Sequence, residues 1–207
     1  MLRTVLICSS ILLFAAIVAA HLTLNFSAWT SEDVRRQRIA MTPLELPEFD
    51  LLDAQGEQYR FKKNIQQGGK YVLLGFIYTR CATVCTQLGN EFQQLQREII
   101  LRNLGDRVSL LSISFDPTND TPLALQNYAK RMNADPKIWR FASVKDQRQL
   151  QTLLKSVGIV VIPDGFGGWT HNAAIQVVRP DGSLIRIFDV TDIGHALALI
   201  ADSSVQP

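Results

Sequence analysis

YVLLGFIYTRCATVC, residues 71–85, is the stretch on which the reading of this chain turns. Its first half is apolar at consecutive positions, as expected of a strand buried on both faces. Thr79 and Arg80 break the run, and Cys81 and Cys85 follow with three residues between them. Past the second cysteine, Leu88, Phe92, Leu95 and Ile99 continue a spacing begun at Val84, that of one helical face. Buried strand, cysteine-bearing turn and amphipathic helix together make the start of an α/β unit. In such units function collects where the parallel strands end.

The pattern repeats outward. A second buried strand runs over residues 108–115, and Thr121-Pro122 opens a helix with Leu125, Tyr128 and Met132 facing inward. A short strand over 138–142 precedes a helix marked by Leu150, Leu153, Leu154 and Val157. Strands over 173–178 and 184–188 flank Pro180-Asp181-Gly182, and a helix over 193–201 closes the order. Before residue 71, residues 49–61 read as two short strands around a glycine-containing turn. Alternating strands and helices with a closing hairpin predict a mixed sheet covered on both faces. The order suits an α/β thioredoxin-like sandwich with an N-terminal β-hairpin addition.

Ahead of it, no charged residue occurs between Thr4 and Ser31, and residues 5–20 are densely apolar. About 20 such residues span a bilayer. The segment predicts a transmembrane helix, with a cleaved signal peptide as the alternative and a buried core helix as the poorest fit. The expected division is an anchor over 1–24, a juxtamembrane linker over 25–46 and the thioredoxin-like domain over 47–207. Within the linker, SEDVRRQRIA reads as a short polar helix capped by Ser31. Arg35, Arg36 and Arg38 follow the span and weigh against a start on the cytoplasmic side. An N-terminal anchor feeding a long translocated domain still places that domain on the periplasmic or extracytoplasmic side of a bacterial-type inner membrane. A net charge of +2 from 21 basic and 19 acidic residues, without a basic cluster, sets nucleic-acid binding aside.

Of three cysteines, Cys8 lies in the apolar run and reads as a small buried hydrophobe. Cys81 and Cys85 are a redox pair or a metal site. Cysteines four apart on a helix share a face with Cβ atoms roughly 5–6 Å apart. They can close a disulfide after a modest adjustment, or grip one ion from two sides. Two buried inert thiols are the bland alternative. Of the histidines, His21 belongs to the apolar segment and His195 to the last helix, where a surface role is expected. His171 follows the glycine-rich PDGFGGWT and becomes a third ligand only if the fold brings that loop to the cysteine turn. Two thiolates and an imidazole suit copper, as Cu(I) or Cu(II), ahead of zinc.

GFIYTRCATVC, SISFDPTNDTP and WTHNAAIQVVRPDG, in this order, resemble the Sco/SenC family over residues 47–188. The resemblance implies a thioredoxin-like fold and copper held by Cys81, Cys85 and His171. It implies a copper chaperone rather than an enzyme, delivering copper to the binuclear copper centre of cytochrome c oxidase. The partner would be a copper-receiving oxidase subunit or another copper chaperone. A thiol–disulfide oxidoreductase acting on a partner's cysteines through Cys81 and Cys85 is the alternative. A peroxidase and a copper- or redox-sensing module stand behind it. Asp116 would support the ligands or touch a partner, with a turn role ahead of Pro117 standing equally beside it. The chain departs from the family's pattern at Ala82 and Thr86, where prolines are common, and at Thr170, where an acid is common. Such neighbours tune affinity and potential.

Overall fold

The computed structural model describes residues 2–23, 28–80, 84–165 and 167–202, and of residues 84–87 only the backbone. The chain divides into two compact units, Met1–Thr42 and Pro43–Pro207.

The first unit holds α1 (Leu2–Leu22) and α2 (Ser31–Met41). α1 is long and apolar enough to cross a membrane, and none of its residues is buried. Cys8 is therefore exposed, contrary to the expectation of a buried thiol. A helix apolar all round has no polar face to turn outward. α2 starts one residue earlier in its cap than expected. Thr30, not Ser31, is the N-cap: its hydroxyl accepts from the Asp33 N–H, and the Asp33 carboxylate accepts from the Thr30 N–H, both at 3.0 Å. This reciprocal pair satisfies two amides that the first helical turn leaves open.

The second unit is built on one sheet of eight strands in the order β1-β10-β9-β4-β5-β6-β2-β3. Its centre is β4 (Tyr71–Ile77), β5 (Val108–Ser114) and β6 (Trp139–Val144), parallel to one another. β9 (Ile175–Val178) and β10 (Ser183–Phe188) extend it antiparallel on one side. The predicted N-terminal hairpin, β2 (Asp50–Asp53) with β3 (Gln58–Arg60), pairs on the other side through β2 and β6. β1 (Leu44–Glu45) crosses to the far edge and pairs with β10, so the start of this unit lines both edges of the sheet.

The connections are α3 (Phe61–Gly68), α4 (Val84–Leu101), α5 (Pro122–Arg131) and α6 (Gln147–Val157), and α7 (Ile193–Asp202) ends the chain's regular structure. α3 was not foreseen. It is eight residues long and buries only Phe61 and Ile65, too few apolar positions to show a period. The PDGFGGWT stretch also differs from expectation. Instead of a plain loop, β7 (Val161–Pro163) and β8 (Trp169–His171) form a separate two-stranded hairpin.

The core explains the central strands. All of β4 after Tyr71 is buried, and Phe92 and Leu95 of α4 are fully buried. A Cβ on Gly75 would lie 2.8 Å from Phe92 Cζ, so glycine there lets α4 seat closely on β4. The one polar side chain midway along β5, Ser112, accepts from the Trp139 indole N–H at 2.9 Å and is thereby satisfied.

Candidate metal centre

The in-register pairing of β4 with β5 sets the site. Ile77 lies opposite Ser114, and the Phe115 N–H donates to the Ile77 carbonyl at 3.1 Å. Tyr78 and Phe115 thus leave the sheet side by side, their ring centroids 5.4 Å apart. Against them packs the His171 ring, at 4.9 Å from Phe115 and 6.3 Å from Tyr78, edge-on to both. The Tyr78 hydroxyl ties the same hairpin down: it donates to the Trp169 carbonyl at 3.2 Å and accepts from the Trp169 N–H at 3.3 Å.

The fold therefore brings the hairpin of β7 and β8 to Tyr78, just past the end of β4 and three residues ahead of Cys81. Cys81 itself lies outside the described residues. Cys85 is in the first turn of α4 by its backbone, and its side chain lies outside what is described. Among the described residues no group of three candidate metal-binding side chains occurs, so a metal centre here needs the cysteines.

His171 is only 6% exposed. Its Nδ1 meets the Asn172 carbonyl at 2.9 Å, and since a carbonyl only accepts, Nδ1 carries the proton and Nε2 the lone pair. Asn172 is itself fixed: its side chain donates to the Gly158 carbonyl at 2.9 Å and accepts from the Val160 N–H at 2.7 Å. Burial pushes the imidazole pKa down, and the bond to Asn172 only partly opposes this. A neutral, oriented imidazole is the form that ligates metal. His195, by contrast, is exposed on α7 and pairs with Asp192 of the preceding turn, as expected of a surface histidine.

Two buried acids follow β5. Asp116, 5% exposed, accepts from the Arg80 guanidinium at 3.0 Å and from the Asn119 amide at 2.9 Å, and its own N–H donates to Ser114 Oγ. Asp116 thus reaches the cysteine turn through Arg80 and also serves its own turn through Asn119. Asp120, 1% exposed, escaped the sequence reading. Its carboxylate accepts from the Thr79 N–H at 3.0 Å, the Thr79 hydroxyl at 2.6 Å and the Ser114 hydroxyl at 2.5 Å. Burial raises its pKa and the Asp116 charge adds to that, against the lowering effect of these bonds. The only sequence signal was its place in DPTND at the end of a parallel strand, four residues after the more conspicuous Asp-Pro.

A cavity of about 390 Å³ lies elsewhere, lined by Val72, Ser109 and Arg140 near the starts of β4, β5 and β6. It is at the opposite end of the parallel strands and holds none of these residues.

The SCO1/SenC family profile matches residues 39–203 of the chain. The chain belongs to the SCO1/SenC family. A SCO1 protein homolog of Bacillus subtilis is 29% identical over 123 residues, which cover 58% of this chain and 63% of that protein. Two solved Sco structures share the fold. BsSco, described as a member of the Sco family of cytochrome c oxidase assembly proteins in which a disulfide switch was identified, superposes with a TM-score of 0.68 at 22% identity, over 80% of this chain and 96% of that one. Bradyrhizobium japonicum ScoI with copper bound superposes at 0.62 with 26% identity, over 76% and 98%. This Sco-family domain thus has the thioredoxin-like α/β architecture anticipated above.

Proposed function

We propose that the chain is a membrane-anchored copper chaperone. It takes copper on Cys81, Cys85 and His171 and delivers it to the binuclear copper centre of cytochrome c oxidase. The observation that carries this reading is His171: buried, neutral, turned by its bond to Asn172, and packed on the tyrosine that leads into Cys81. The copper held by Bradyrhizobium japonicum ScoI supports it. Soft thiolates favour Cu(I), and the imidazole extends the site to Cu(II). Each cysteine gives up its proton on binding, so loading releases protons and weakens as pH falls. Copper is cargo here, received from another chaperone and passed to an oxidase subunit. α1 supplies the anchor, with the folded domain on the periplasmic or extracytoplasmic side.

The test is a Cu(I) and Cu(II) titration of the full chain in detergent beside Cys81→Ser, Cys85→Ser and His171→Ala. One copper per wild-type chain is expected, with affinity at least about tenfold weaker in His171→Ala, a loss of about 1.4 kcal/mol or more. Wild-type affinity in that variant would sink the three-ligand centre.

A second reading, reduction of a copper-receiving partner's cysteines, draws support from the place of Cys85 in the first turn of α4. A helix N-terminus stabilises thiolate and so speeds disulfide exchange. That activity needs both cysteines but not His171. Single cysteine variants that trap a mixed disulfide, with His171→Ala fully active, would favour reduction over delivery.

A further inference from the structure

Thr79 is held on three sides by residues from beyond its own strand. Its N–H and its hydroxyl both donate to Asp120, and its carbonyl accepts from the Arg131 guanidinium at 3.2 Å. The next residue, Arg80, is held by Asp116. Ser114 Oγ joins the two acids, donating to Asp120 and accepting from the Asp116 N–H. A carboxylate is costly to bury unless its oxygens are hydrogen-bonded, and here three donors meet it. Two of the three come from a single residue 41 positions away in sequence, in the turn that leads to the cysteines.

We infer that Asp120 is a positioning residue for the dithiol: through Thr79 it sets the path by which the chain leaves β4 for Cys81. The separation makes this effective. Thr79 is two residues ahead of Cys81, and two residues of chain reach at most about 7 Å, which ties the place of one to that of the other. An alanine or asparagine at 120 leaves the Thr79 N–H and hydroxyl competing for fewer acceptors and frees the turn. This inference rests on the reading of Cys81 and Cys85 as a working pair, but not on copper being what they hold.

The test uses the full chain in detergent, in a Cys8→Ser background so that only the pair reports. Asp120→Asn, Thr79→Val and the double variant are compared for Cu(I) affinity, the pH profile of thiol alkylation and thermal unfolding. Asp120→Asn keeps the side-chain volume and is expected to weaken Cu(I) binding roughly ten- to a hundredfold, the usual effect of removing a group that orients ligands. It should also shift the alkylation profile while the protein remains folded. Thr79→Val should shift both in the same direction by less, and the double variant should be no worse than Asp120→Asn, because both act through one contact. A folded Asp120→Asn with wild-type affinity and alkylation overturns the inference, as do fully additive effects in the double variant. Should Asp120→Asn fail to fold, Thr79→Val decides alone, and an unchanged alkylation profile overturns the idea. If the wild type binds no copper, the chaperone reading falls while the alkylation profile still decides the role of Asp120.

Discussion

His171 owes its chemistry to its surroundings. Burial keeps the folded imidazole harder to protonate than that of the unfolded chain, whose pKa is about 6.5. As pH falls below that value the unfolded state takes up the proton first, so metal-free protein loses stability between about pH 6.5 and the lower folded pKa. Denaturant midpoints measured from pH 7.5 down to 5 should decline for the metal-free wild type, and His171→Gln should flatten the decline. An equal slope in that variant would place the titration elsewhere. At this scale the cysteines and His171 stood out as residue types capable of ligation. Asp120 did not, since an aspartate after a strand reads the same whether it caps a turn or reaches across to Thr79.

Between elements, β4 and α4, which flank the two cysteines in sequence, meet at Gly75 and Phe92. Gly75 permits it, and the buried Phe92 ring has little room to withdraw. Gly75→Ala is expected to destabilise the fold by about 1–3 kcal/mol, as overpacking does, read as a lowered denaturant midpoint. Because α4 also holds Cys85 in its first turn, Cu(I) affinity should fall with it. The alternation of β4, α4, β5, α5, β6 and α6 was plain from residue spacing, as was the N-terminal hairpin. The β7–β8 hairpin was hidden, because its three-residue strands flank glycines and show no alternation long enough to read. α3 was hidden because two buried apolar positions, Phe61 and Ile65, are too few to show a helical period.

For the whole molecule, α1 is the feature that the Pro43–Pro207 unit does not explain. None of its residues is buried, and it is long and apolar enough to cross a membrane, which is what the proposed anchor requires. Full-length protein should sediment with membranes and resist extraction by high salt or alkali. A chain lacking residues 2–22 should appear in the soluble fraction with its copper affinity intact. Release of the full-length chain by salt alone would contradict an anchor.

The sequence by itself determined the order of the central strands and helices, because hydrophobic period follows from which face must be buried. It also marked an N-terminal segment long and apolar enough to cross a membrane. Three spaced motifs were enough to indicate the family that the profile match over residues 39–203 establishes. Only the tertiary structure decided that a hairpin near residue 170 meets the end of a strand near residue 78, and that Asp120 grips Thr79. Those contacts join residues 41 to 93 positions apart. Local spacing carries no record of them, because they arise from strand register and loop packing once the core has closed.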